Sequence, residues 1–323
     1  MTLVLDTAGG AGGGAARWRA ELDRHLRRAG AGRRCGAVDQ VTVIGRGRRI
    51  TPGWLLRRES LARRARTTIA ANNVSFLVSG GRRVVLARNA LHFLYPDESH
   101  LATRLPPAWR AQIPVVRRSL ERADVIVVPC SPMAERVVFH RPALAARIVV
   151  RPHPVTAVPR RGSAERALLV PVVPGPYKNL TTELRSLVAV LAGMADPPLV
   201  RVTASRTQLP PDLADHPLLR VLGPLPSEEM TDHWATATGI FYPCVVESFG
   251  YPLAEARAGG VAVIAPDGAQ AREIAGGALR PYRPADPRTL REAVIRLSEP
   301  VVPDPDPFSP ADYFDWLLDG AAG

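Results

Sequence analysis

Short runs dominated by Val, Ile and Leu recur along the chain, and each is followed by a longer stretch in which apolar residues return every three or four positions. The first pattern suits a strand buried on both faces and the second an amphipathic helix, so their alternation predicts parallel βαβ units. In the first half, residues 3–7, 38–44, 75–79, 83–88, 125–130 and 147–150 read as strands, and 15–29, 54–71, 108–122 and 132–140 as helices. Ser131 is placed to cap the last of these, with Pro132 in its first turn where a missing N–H costs nothing. In the second half the expected strands are 167–173, 199–204, 219–222, 239–245 and 261–265. The expected helices there are 181–194, 228–237, 249–258 and 287–297, the last opened by Asp286 as a cap and Pro287. Residues 151–163 are rich in proline and lack apolar periodicity, which marks an interdomain linker. The expected organisation is one Rossmann-like domain over 1–155, a second over 156–300, and a tail, 301–323, that packs back on the body through Phe314, Trp316 and Leu317. Two doubly wound halves would leave a ligand cleft at the carboxyl ends of their strands.

Composition narrows the classes. With 323 residues, 46% hydrophobic and 22% charged, the chain suits two globular domains rather than a disordered tail or a fibre. No apolar run reaches the ~18 residues of a membrane-spanning helix, and the opening MTLVLDTAGG lacks the features of a signal peptide, so a cytoplasmic location is expected. Cys35, Cys130 and Cys244 are too few and too scattered for a disulfide framework or a close-spaced zinc site. The seven histidines show no HExxH spacing, and their one local group, His92 to His100 around Asp97 and Glu98, reads as loop, so no metal is expected.

The net charge of +12 is concentrated at one end: residues 1–66 hold 15 Arg against 5 acids, and residues 67–323 hold 27 Lys and Arg against 25. A basic block of this kind suits an anionic lipid surface or a phosphorylated substrate. Nucleic acid is not expected, because aromatics do not interleave with the arginines and no binding module is legible. With 41 Arg and a single Lys in the chain, part of this basicity also reads as solvated helix faces.

Three segments carry candidate chemistry. The segment GIFYPCVVESFGYPLAEARAGGVAVIAP, residues 239–266, reads as strand, turn, helix, strand. Glu247 falls at the carboxyl end of a strand, where α/β proteins place ligands, and Ser248, Phe249 and Gly250 open the next helix with N–H groups suited to an anion. Glu255, two turns into that expected helix, is placed to accept hydrogen bonds from a diol such as ribose. The segment ALLVPVVPGPYKNLTTEL, residues 167–184, carries the only lysine, Lys178. A compact ammonium kept in a chain that otherwise uses arginine points to a place a planar fork does not fit. The segment LVLDTAGGAGGGAARW, residues 3–18, is a strand, a glycine loop and a helix start, where backbone can approach a ligand closely. It lacks the GxGxxG spacing with a ribose-binding acid about 20 residues on, so bound NAD is not expected.

At these residues the sequence resembles glycosyltransferase family 4, retaining enzymes of the GT-B fold, in which two Rossmann-like domains face a cleft. The family form ESFGxPxxEAxAxGxPVVA is matched by Glu247, Ser248, Phe249, Gly250, Tyr251, Pro252, Glu255, Ala256 and residues 259–265. The resemblance implies that Glu247 contacts the donor sugar, Glu255 holds the nucleotide ribose, and backbone around Phe249, Gly250 and Tyr251 faces the diphosphate. It makes Lys178 the counter-charge of that diphosphate. Gly12, Gly13 and Gly14, with Arg88, Asn89 and His92 after a later strand, fall on the acceptor side. The chain departs from the family where a Gly-Arg pair often follows the first strand of the nucleotide domain, having Val170–Val173 and Pro174 instead; Arg206 is one candidate substitute. The expected activity is transfer of a sugar from a nucleotide diphosphate sugar to a hydroxyl of a saccharide or lipid-linked acceptor, without metal or cofactor, in cell-envelope polysaccharide, glycolipid or glycoside synthesis. A peripheral position at the inner membrane face fits the basic first domain. The alternatives are a nucleotide-sugar epimerase and a non-catalytic nucleotide-sugar-binding subunit; a phosphorylase is disfavoured by length and by having no lysine but Lys178 for pyridoxal.

Overall fold

The computed structural model describes residues 2–10, 12–30, 40–79, 81–162, 165–171, 175 and 178–320. Cys35, the expected strand start at 38–39, and residues 172–174, where the family arginine would fall, lie outside them. The chain divides into two compact units, residues 1–155 with 308–323, and residues 156–307.

Unit 1 runs β1 (Thr2–Asp6), α1 (Gly13–Gly30), β2 (Gln40–Ile44), α2 (Pro52–Leu61), β3 (Thr67–Ala70), β4 (Arg82–Leu86), α3 (Ser99–Thr103), α4 (Pro107–Ser119), β5 (Val125–Val128), α5 (Ser131–His140) and β6 (Ile148–Val150). Its six strands form one sheet in the order β2-β1-β3-β4-β5-β6, with every pair parallel. Strands β3 and β5 are buried along their whole length, as a parallel sheet covered on both faces requires.

Unit 2 runs β7 (Ala167–Val170), α6 (Leu180–Ala192), β8 (Leu199–Val202), α7 (Pro211–Ala214), β9 (Leu219–Val221), α8 (Ser227–Thr236), β10 (Gly239–Phe241), α9 (Tyr251–Gly259), β11 (Val263–Pro266), α10 (Ala269–Ala275), β12 (Leu279–Tyr282) and α11 (Pro287–Ile295). The sheet order is β12-β11-β10-β7-β8-β9, again all parallel.

The short helices α3, α7 and α10 were not expected, and three further differences from the sequence reading have a clear physical cause. The helix expected over 54–71 ends at Leu61, and its last part is strand β3, where the β-branched Thr67, Thr68 and Ile69 fit a pleated, buried surface. The strand expected over 75–79 is a loop, because side chains satisfy its backbone. Glu59 accepts from the amides of Leu77 and Val78 at 2.9 and 3.0 Å, and Arg58 donates to the carbonyls of Val74 and Ser75 at 2.9 and 2.6 Å. Strand β12 was not expected at all, since its sequence LRPY holds a charge and a proline. It is an edge strand, where a missing N–H is tolerated, and the buried Arg280 guanidinium donates to the carbonyls of Gly277, Arg296 and Glu299 at 2.8–3.0 Å.

Helix caps follow the chemistry of their residues. Asp286 accepts from the amides of Arg288 and Thr289 at 3.1 and 3.3 Å, as its position before Pro287 predicts. Ser131 instead forms the first helical residue of α5, with Cys130 in the cap position.

The C-terminal segment is shared between the units. Within unit 2, Arg257 grips Asp304 at 2.6 and 2.8 Å. Within unit 1, α12 (Pro310–Asp315) lies on α1: the Trp18 indole N–H donates to Tyr313 at 3.2 Å, and Phe314 stacks edge-on against Trp18 with centroids 5.4 Å apart. Trp316 takes the Arg151 guanidinium over its ring at 5.2 Å.

Candidate functional site

In unit 2 the strand order reverses between β7 and β10, which are adjacent in the sheet. A crevice at the carboxyl ends of such a pair is where open α/β sheets bind ligands. The loop after β7 carries Lys178 and the loop after β10 carries Glu247, so the two candidates come from opposite sides of the reversal. Both are partly buried.

Glu247 is held by two donors. The Tyr242 hydroxyl reaches Oε2 at 2.7 Å, and the Ser248 amide reaches Oε1 at 3.1 Å. The Ser248 amide, expected to face an anion, is therefore engaged by the neighbouring carboxylate. Burial raises the Tyr242 hydroxyl far above its usual pKa, and the charges of Cys244 and Glu247 add to this, so it remains a proton donor throughout the neutral range. Burial also pushes the Cys244 thiol up to about 12; the Lys178 charge opposes that rise and Glu247 reinforces it. Lys178 and Glu247 thus both act electrostatically on one buried thiol. Sequence reading missed Tyr242 and Cys244. The available signal was their place just past the end of a buried strand and ahead of a charged turn.

The turn into α9 explains the ESFGYP sequence. Gly250 has φ of +75°, and a Cβ there would lie 3.0 Å from Leu253 Cδ1, so glycine is required on both counts. Phe249 and Tyr251 are buried and meet edge-on with centroids 5.1 Å apart, while Gln270 donates to the Phe249 carbonyl. Their side chains support the turn, and only its backbone is left to meet a ligand. Helix α9 starts at Tyr251 rather than 249, which places the half-buried Glu255 in its second turn. Arg206 is committed to the Asp215 carboxylate and to the Ala214 carbonyl at 3.0 Å.

The unit 1 candidates separate into different roles. Gly12 and Gly13 are exposed, and a Cβ on either would meet nothing within 4 Å; Gly14 follows them in the first turn of α1. Gly13, at φ +59°, still needs glycine for its backbone; Gly9 and Gly10, at φ +90° and +58°, need it for packing as well, because a Cβ would meet Ile50 at 2.6 Å and Ala15 at 2.4 Å. Arg19 of α1 gathers the carbonyls of this loop, donating to Gly9 at 2.6 Å and to Gly10. Arg88 packs its guanidinium over Trp18 at 5.3 Å, and Asn89 accepts from the Leu91 amide at 3.1 Å as a local cap. His92 is buried, and burial next to the Arg117 charge lowers its pKa to about 4, so it is neutral near pH 7 and belongs to the core. Glu98 is held by Arg136 through both oxygens at 2.5 and 2.6 Å, which accounts for the acid in the histidine-rich loop. Among the described residues, no three His, Cys, Asp or Glu side chains are grouped to hold a metal, and no helix is long and apolar enough to cross a membrane.

No protein-family model matches the chain, and no curated protein sequence matches it. Solved structures do. Sucrose-phosphate synthase from Thermosynechococcus elongatus is 15% identical with a TM-score of 0.60, over 99% of this chain and 96% of that one. WaaG, a glycosyltransferase involved in lipopolysaccharide biosynthesis, is 13% identical with a TM-score of 0.60, over 100% and 98% of the two chains. UDP-GlcNAc 2-epimerase from Methanocaldococcus jannaschii is 9% identical with a TM-score of 0.59, over 98% of each. At such identities the likeness is one of fold, and with the two six-stranded parallel sheets it gives the chain the GT-B architecture.

Proposed function

We propose that the protein is a retaining glycosyltransferase that moves a sugar from a nucleotide diphosphate sugar to a hydroxyl acceptor. The observation that carries this reading is the placement of Lys178 and Glu247 on the loops after β7 and β10, the two strands at the strand-order reversal of unit 2, in segments that resemble the donor-binding motifs of glycosyltransferase family 4. In this reading the Lys178 ammonium and the backbone at Phe249 and Gly250 stabilise the charge that develops on the departing diphosphate. Glu247, fixed by Tyr242 and the Ser248 amide, orients the sugar ring. Glu255 accepts from the ribose hydroxyls. No side chain acts as a nucleophile, and the leaving phosphate takes the acceptor proton on the same face. The reaction needs no metal, since the ammonium and amides supply the positive field. Unit 1 is the acceptor half, and its arginine-rich surface suits a saccharide or lipid-linked acceptor at an anionic membrane, in cell-envelope polysaccharide, glycolipid or glycoside synthesis.

The likeness in fold to an epimerase supports a second reading, isomerisation of the same class of donor. A thermal-shift screen against UDP, GDP, ADP, dTDP and their sugar conjugates tests the donor site. A ligand at 100 times its Kd stabilises by ~2.7 kcal/mol, and the shift is expected to vanish in Glu255→Ala. No shift with any nucleotide would sink both readings. Analysis of the products then separates them, because an epimerase returns an isomerised donor without an acceptor.

A further inference from the structure

Several arginines around the first two helices of unit 1 have acids or carbonyls to bind. Arg46 pairs with Asp23 at 2.6 Å, Arg58 with Asp6 at 2.9 Å, and Arg19 holds the glycine loop. Arg48, Arg49 and Arg57 are distinguished by sharing one hollow. All three are exposed, none has a carboxylate within ion-pair distance among the described residues, and all three line one cavity of about 330 Å³ with Thr51, Gly53 and Trp54. Three like charges around one hollow repel one another, and a dianion between them removes that cost while gaining charge-assisted hydrogen bonds. Guanidinium forks match phosphate oxygens better than a single carboxylate could use all three.

The walls are fixed in place. The Arg48 amide donates to the Gly45 carbonyl at 3.0 Å, and the Arg48 carbonyl accepts from the Gly9 amide at 2.8 Å, tying the cavity to the glycine loop. The Trp54 indole lies beneath the Arg48 guanidinium, 5.8 Å from ring centroid to Cζ, and its N–H is anchored on Asp6 at 3.3 Å. Thr51 accepts from the Trp54 amide at 3.2 Å and keeps its own hydroxyl proton to donate. The cavity follows the carboxyl end of β2, the edge strand beside β1.

We propose that this cavity binds the phosphate or diphosphate of the acceptor, so that the acceptor is a phosphorylated saccharide or a lipid-borne phosphate. The assignment rests on reading unit 1 as the acceptor half, but its test does not depend on donor binding. Isothermal titration at low ionic strength compares three proteins: the full chain, Arg49→Ala/Arg57→Ala, and a control with exposed arginines of the same unit removed (Arg110→Ala/Arg122→Ala). With inorganic phosphate and with glucose 6-phosphate as probes, the expected result is a weakening of about tenfold or more in Arg49→Ala/Arg57→Ala, with the control close to the parent. A parallel arm measures co-sedimentation with phosphatidic acid vesicles against phosphatidylcholine vesicles. Selective loss with the soluble probes identifies a free phosphorylated acceptor, and selective loss with the phosphatidic acid vesicles a lipid-borne one. Equal weakening in the two arginine doubles, no weakening in Arg49→Ala/Arg57→Ala, or no binding in either arm overturns the proposal. Nucleotide titration of Arg49→Ala/Arg57→Ala stays unchanged if the donor site is sound, so failure of this subsite and failure of the donor site give different results.

Discussion

The two units reverse strand order in the same way and use the resulting position oppositely. In unit 1 the reversal falls between β1 and β3, and Asp6 at the end of β1 is fully buried. Its carboxylate accepts from Arg58 at 2.9 Å, Asn72 at 2.8 Å, the Ala8 amide at 2.9 Å and the Trp54 indole at 3.3 Å. In unit 2 the reversal has a carboxylate on the other strand of its pair, Glu247 in the loop after β10, which is only partly buried and takes two donors. A carboxylate whose lone pairs are all used inside the protein is a joint, whereas one held on one side and open on the other is equipped to meet a ligand. The position that topology supplies is therefore not enough to mark a site, and the degree to which side chains fill it decides.

The largest effect is expected from breaking the joint. Arg58→Ala strands a buried carboxylate, so it should cost about 3–5 kcal/mol of stability in urea unfolding. Replacing both partners, as in Asp6→Leu/Arg58→Met, should recover much of that loss. A cost near zero for Arg58→Ala would mean that the buried pair does not hold unit 1 together. The opposite pattern is expected at the open position. Lys178→Ala should lower turnover by about 10²–10³, the effect of losing one preorganised group that faces developing charge, with little change in melting temperature. A variant that melts early but turns over normally would reverse the comparison.

Much of this contrast was legible in the chain, and the parts that were not have physical causes. Lys178 and Glu247 stood out because each follows a run of buried strand residues, and strand ends are visible as the point where Val and Ile give way to Pro, Gly and charge. The Asp6 joint was invisible, because Arg58 and Asn72 reach it from 52 and 66 residues away. The same buried arginine accounts for the misread strand at 75–79, since its bonds to the Val74 and Ser75 carbonyls replace a ladder. Buried Arg280 likewise hid β12. Glycine number also misled. The run Gly12 to Gly14 drew attention, yet Gly9 and Gly10 are where a Cβ would collide. Of the run itself Gly13 alone has a positive φ in the structure, and packing partners single out Gly9 and Gly10, neither of which can be read from a run of glycines.

Acid should separate the units further. His92, in unit 1, has its pKa lowered from 6.5 to about 4 by burial, with Arg117 adding, and buried His153 of the same unit is lowered well below its usual value. The unfolded chain binds a proton at His92 near pH 6.5 that the folded chain refuses until about 4, so stability is complete above 6.5 and falls as pH drops between these values. For His92 alone the loss is about 3 kcal/mol at the lower limit, at ~1.4 kcal/mol per unit. His92→Gln should flatten the pH dependence of thermal unfolding by that amount, whatever its own cost at pH 7. An unchanged slope in His92→Gln would show that other groups carry the acid sensitivity.

The smallest effect tests whether the open position depends on its one buried support. Tyr242→Phe keeps the ring, so unit 2 should lose no more than about 1 kcal/mol, the net worth of a typical hydrogen bond. Glu247 would then keep only the Ser248 amide, and its second oxygen would be free to turn away from the sugar. Turnover is expected to fall about tenfold, mainly in kcat, because the carboxylate is still present to bind but no longer fixed in direction. Since the Tyr242 hydroxyl does not ionise in the neutral range, the pH profile should keep its shape in the variant. A fall confined to KM would mean that Tyr242 shapes substrate binding directly, and an altered profile would mean that it carries a proton in the reaction. Either result would move Tyr242 from supporting Glu247 to acting on the substrate itself.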